Sequence, residues 1–99
     1  MITFEKLLKK AKTKRIAVHT PTKEQAKILL EALDKKGYEW ASEDKLTAET
    51  NYEDYKKATC YDFGTSNLDN EVTYSPLDWY QEHDYTIIEF TDIDFEENK

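Results

Sequence analysis

The chain has 99 residues, a formal net charge of −7, 38% hydrophobic residues and a single cysteine. That length gives one domain with one modest core, and a lone cysteine excludes an internal disulfide framework. The charge is uneven: residues 1–15 carry six basic groups against Glu5, and the acidic excess lies beyond Gly37, which disfavours direct nucleic-acid binding because phosphate contacts dominate that affinity.

Seven tyrosines and two tryptophans supplement a short supply of aliphatic side chains; each buried ring removes a large apolar area from water. No apolar run approaches the roughly 18 residues of a membrane span, and no leader-like segment opens the chain. With one thiol, the expected setting is a reducing cytoplasm. The chain reads as a single α+β domain over residues 1–99, with a basic N-terminal helix in 1–14 and an acidic tail in 92–99.

Residues 3–12 predict a helix capped by Thr3, since Phe4, Leu7, Leu8 and Ala11 recur on one face. Arg15–His19 alternates as a strand, and Thr20-Pro21 ends it. Thr22 then caps a second helix, with Gln25 three residues on as a capping box. Ala26, Leu29, Leu30 and Leu33 form its apolar stripe. Lys35 and Lys36 close its last turn, and Gly37 supplies the left-handed stop. Tyr38, Trp40 and Ser42 alternate with Glu39, Ala41 and Glu43, predicting a strand with one aromatic face.

Residues 43–51 lack a period and read as loop. Tyr52–Ala58 reads as a helical turn with Tyr52 and Tyr55 inward. Thr59–Phe63 and Glu71–Tyr74 read as a hairpin around a polar turn. Ser75 and Pro76 open a short helix, with Asp78 as a capping-box partner; Leu77 and Tyr80 share its inner face and Trp79 points elsewhere. Tyr85–Thr91 is apolar on both faces and reads as a central strand. The sum is a two-layer domain: a mixed sheet of four or five strands with helices mainly on one face. A ferredoxin-like split βαβ arrangement is the expected topology.

Catalytic and cofactor signatures are missing. Gly37 and Gly64 are isolated, so no phosphate-cradling loop can be written. One cysteine and two histidines give no metal-site spacing. Cys60 lies inside a strand, where a thiol packs as a small apolar group. No catalytic residue, metal or cofactor is expected.

Two surfaces remain as binding candidates. One is aromatic and includes Tyr38, Trp40 and Trp79, residue types enriched in protein hot spots and suited to stacking on a base. The other is acidic: Glu39, Glu43, Asp44 and Glu49, with Asp92, Asp94, Glu96 and Glu97, a pattern that steers association with a basic partner.

Several motifs carry a resemblance: Val18-His19, Pro21-Thr22, Gly37-Tyr38-Glu39-Trp40, Thr59-Cys60-Tyr61 and Ile87-Ile88-Glu89-Phe90. Across about residues 15–91 the chain resembles a group of small uncharacterised proteins encoded by phages and prophages of Firmicutes. Members often carry glycine after Trp-x-Ser, where this chain has Glu43, so a shared loop role there does not carry over. The resemblance names no activity. It implies a phage accessory role, and small acidic phage proteins often resemble inhibitors of host defence such as anti-CRISPR proteins. The expected function is therefore non-enzymatic: binding and blocking a host protein with a basic surface, in the host cytoplasm. The alternative is a small-molecule binder that sequesters a nucleotide immune signal, using Trp40 or Trp79 for stacking and Lys10, Lys12, Lys14 or Arg15 for phosphate.

Overall fold

Helix capping and apolar periodicity set the first half of the chain. A computed structural model describes residues 1–40, 42, 44–64 and 70–95. Strand β1 (Ile2–Thr3) leads into helix α1 (Phe4–Ala11), where the Thr3 side chain accepts from the Lys6 backbone N–H. Strand β2 is Ile16–His19 and helix α2 is Lys23–Lys35. Thr22 accepts from the Gln25 N–H at 3.2 Å. The reciprocal half of the expected capping box is not made, because the Gln25 side-chain oxygen is buried without a partner. Ala26, Leu29, Leu30, Ala32 and Leu33 are all buried, each leucine contributing about 2 kcal/mol. Gly37 has a φ of +89°, as a left-handed helix stop requires.

Strand β3 is only Glu39–Trp40, shorter than the alternation predicted. After Trp40 the chain turns back: the Trp40 N–H donates to the Asp44 carbonyl at 3.1 Å, and Glu39 bridges Lys45. This brings Leu46 into the core, completely buried in a 3-10 turn (Leu46–Ala48) packed against α2. Two further 3-10 turns, Tyr52–Asp54 and Lys56–Ala58, lead to β4 (Thr59–Asp62). Tyr52 points inward as predicted, but Tyr55 is exposed and lies against Tyr74 instead.

Strand β5 (Glu71–Pro76) runs antiparallel to β4. It absorbs Ser75 and Pro76, so α3 (Leu77–Glu82) starts one residue later than the Ser-Pro pair suggests and has no side-chain cap. Strand β6 (Thr86–Glu89), a 3-10 turn (Phe90–Asp92) and β7 (Ile93–Asp94) follow.

The main sheet is mixed, in the order β3-β5-β4-β2-β6, and β1 and β7 form a second, parallel pair. The fold is α+β. Its topology departs from the ferredoxin-like expectation. Strands β2 and β3 do flank a split βαβ unit, but two strands, β4 and β5, lie between them. Strand β6 pairs parallel with β2 at the sheet edge, so it is not a central strand. Its two apolar faces have another cause: Ile88 packs on the main core and Ile87 on a second cluster of Ala17, Cys60 and Tyr80. Helices α1 and α2 cover the main face, and α3 covers part of the other.

Candidate functional site

The large face is unusually aromatic for its size, and the polar tips of its rings decide what surrounds it. Trp40 sits 6.1 Å from Tyr61 and 5.8 Å from Tyr74, ring to ring. A buried Trp or Tyr needs a hydrogen-bond partner for its N–H or O–H. Here all three reach the same loop. The Trp40 indole N–H donates to the Glu49 carbonyl at 3.0 Å, the Tyr61 hydroxyl to the Thr50 carbonyl at 2.6 Å, and the Tyr74 hydroxyl to the Asp54 carboxylate at 2.5 Å. Tyr52 adds a bond to the Pro21 carbonyl. The segment 49–54, which has no periodicity of its own, is therefore held by aromatic side chains from elsewhere in the chain.

Between this loop and the sheet lies an open pocket of about 750 Å3, within the usual size range of ligand sites. Trp40, Val72, Thr73 and Tyr74 line the sheet side; Ser42, Asp44, Glu49 and Asn51 line the loop side. Beyond Val72 the outer edge of β5 has no partner strand among the described residues, because β3 pairs only with Glu71 and Val72. The hydroxyl and indole donors at the wall are already engaged. The Ser42 hydroxyl donates to Asp44 at 3.0 Å, the Thr73 hydroxyl to Asp62, and Trp40 and Tyr74 as above. The carboxylates of Asp44 and Glu49 form no ion pair with a described residue. The Tyr74 hydroxyl is pushed up to about 12, first by its hydrogen bond to Asp54, then by burial and by the charges of Asp54, Tyr55 and Glu49.

Of the residues expected to bind, Tyr38 and Trp40 are corrected to core positions: they are 4% and 6% exposed, and Tyr38 packs edge-on against Phe63. Trp40 still lines the pocket, next to exposed Asp44. Trp79 is on a different surface, 40% exposed and stacked 3.9 Å from the His83 ring. Asp92 is exposed and Asp94 half-buried in β7. Residues 92–95, expected as the start of an acidic tail, are part of the fold instead. Ile93 is buried in β7, and Phe95 lies against Phe4 and Phe90. Glu43, Glu96 and Glu97 lie outside the described residues. Glu49 belongs to the acidic surface expected from the sequence, whereas Asn51 was not expected: it carries no pattern and reaches the pocket because the rings hold its loop.

The non-carboxylate groups with reactive chemistry are all tied down. Cys60 is fully buried, and burial pushes its thiol up to about 12, with the nearby charge of Glu89 adding to the effect. His19 Nδ1 faces the Glu89 carboxylate at 2.9 Å, and its Nε2 faces the Lys57 carbonyl at 2.7 Å. His83 Nδ1 faces the Trp79 carbonyl at 2.7 Å. Among the described residues, no group of three or more His, Cys, Asp or Glu side chains is placed to hold a metal, and no helix is long and apolar enough to cross a membrane.

Compared with protein-family models, with curated proteins and with solved structures, the chain matches none of them.

Proposed function

We propose that this chain is a non-catalytic accessory protein that binds and blocks a basic host protein in the host cytoplasm. The observation that carries this reading is the open pocket at the β3–β5 edge. Its described lining holds two carboxylates, Asp44 and Glu49, and no cation. Such a surface favours a basic partner and speeds the encounter with it. The buried, high-pKa thiol of Cys60 and the engaged rings of His19 and His83 fit a binder better than a nucleophile or base. The phage setting, and with it an anti-defence role of the anti-CRISPR kind, rests on the resemblance of the sequence motifs alone.

The test is a pull-down from host lysate, followed by affinity measurement on the purified partner at several salt concentrations. The expected result is a stoichiometric basic protein whose affinity falls with salt and falls further on Asp44→Lys with Glu49→Lys. A partner indifferent to both changes would remove the acidic-pocket version of the idea.

A second reading, capture of a nucleotide signal, draws on one observation. Arg15 donates to the His83 carbonyl at 3.1 Å and lies 5.9 Å from the Tyr85 ring, which is 6.1 Å from Trp79. A cation and a half-open indole thus share one surface. The acidic side chains of Asp78, Glu82 and Asp84 are exposed on the same stretch, which weakens it as an anion site. Quenching of Trp79 fluorescence by a nucleotide, lost in Arg15→Ala, is the result this reading needs.

A further inference from the structure

We infer that the pocket at the β3–β5 edge receives an arginine side chain of the partner protein, its guanidinium held between Asp44 and Glu49 beside the Tyr74 ring. This deepens the proposed function and rests on it for the identity of the partner as a protein.

Hydrogen-bond capacity and charge limit what the pocket can receive. Five lining side chains carry donors: Trp40, Ser42, Asn51, Thr73 and Tyr74. All but Asn51 donate to an acceptor of the chain itself. An incoming group therefore meets mainly acceptors. Each carboxylate offers about four lone-pair sites; Asp44 uses one on Ser42. The hydroxyls of Ser42, Thr73 and Tyr74 keep acceptor capacity after donating, and Asn51 brings an amide with both donors and an acceptor. A phosphate or carboxylate ligand would meet the like charges of Asp44 and Glu49 with no lining cation to offset them, and it is disfavoured. A donor-rich cation is selected.

Three features choose guanidinium over ammonium. Arginine presents five N–H donors in a planar fork, which suits two carboxylates on separate segments better than a compact ammonium does. Asp44 follows β3 and Glu49 sits on the loop held by Trp40, so the two carboxylates come from different segments of the wall. The apolar part of the wall, Val72, Ala48 and the half-buried Tyr74 ring, suits a flat, weakly hydrated cation and the methylene stem behind it. The neighbouring pocket of about 360 Å3 shares Ala48, Glu49 and Asn51 but mixes Lys23 and Lys27 with Glu53 and Asp54, and Lys23 is paired with Glu53.

The closing experiment uses the full chain and a capped pentapeptide with one central arginine, read through the two indole N–H resonances by NMR. The expected result is a saturable shift of the Trp40 resonance with the Trp79 resonance unmoved. The lysine peptide binds about tenfold more weakly, and the peptide with citrulline, neutral and of the same shape, does not saturate. Asp44→Asn with Glu49→Gln weakens arginine-peptide binding by about tenfold or more, and Asp78→Asn, on α3, leaves it unchanged. No saturable shift at Trp40, or equal binding of the citrulline or lysine peptide, overturns the assignment. The broader reading fails differently: the arginine peptide saturates Trp40, yet no host protein binds. The pocket alone fails if a purified host partner binds the chain and its Asp44→Asn, Glu49→Gln variant equally well.

Discussion

The two faces of the main sheet are built on different scales. The α1/α2 face buries a continuous cluster from Phe4 through Ile93, with Trp40, Tyr61 and Val72 at the pocket end. The α3 face buries only Ala17, Cys60 and Tyr80, with Leu77, Tyr85 and Ile87 packed around them. The difference shows in how each face treats its rings. On the large face, rings are buried and their polar tips tie down a loop, which creates a pocket. On the small face, Tyr80 anchors the helix while its neighbour Trp79 stays on the surface. An exposed aromatic and a functional one are therefore not the same thing: the half-open Trp79 mostly stacks on its own helix, and the buried Trp40 shapes the candidate site.

The largest effect that would sharpen this contrast is Tyr61→Ala on the large face. It removes a fully buried ring and the tie to Thr50, and a loss of about 4 kcal/mol is expected in urea unfolding. Gly64→Ala comes next. A Cβ there would lie 1.8 Å from the Ala11 carbonyl oxygen at the end of α1, so about 3 kcal/mol is expected from backbone that must move apart. Tyr80→Ala should cost about 3 kcal/mol, and Trp79→Ala about 1 kcal/mol or less, although the two are adjacent. Equal losses at Tyr80 and Trp79 would break the distinction between anchor and surface ring.

A gentler probe is alkaline pH. Burial raises Cys60 from 9.0 to about 12 and raises Tyr61 and Tyr80 above their ordinary 10.0. A raised folded value favours the neutral form, so the stability from these groups is complete below the unfolded pKa and is lost as pH rises toward the folded one. Stability is expected to fall from about pH 9 upward, with Cys60 contributing first. Absorbance of the phenolates should show Tyr61 and Tyr80 titrating only with unfolding. Early titration of Tyr80 alone would mean that the small face opens before the large one. The smallest effect is kinetic: Cys60 should react with a thiol reagent only at the rate of unfolding, and immediate reaction in the native protein would place the α3 layer ajar.

Much of this was written locally. The caps at Thr3 and Thr22, the leucine stripe of α2, the stop at Gly37 and the β4–β5 hairpin follow from neighbours a few residues apart. The α+β class follows from their order. What the sequence could not decide was which partner each apolar face would meet. Tyr38 and Trp40 look the same on paper whether they are core or interface, because the same ring serves both. Strand β6 is apolar on both faces at a sheet edge, since α3 folds over one side of it. Leu46, Glu49 and Asn51 belong to a segment with no period: backbone bonds at β3 and packing on α2 place Leu46, and the hydroxyl and indole groups of distant rings place the stretch of Glu49 and Asn51. The sequence by itself determined the helices, the hairpin and the acidic balance, because those depend on short-range geometry and composition. Tertiary structure decided the strand order, the burial of Trp40 and the existence of the pocket, because those depend on contacts between segments far apart in the chain.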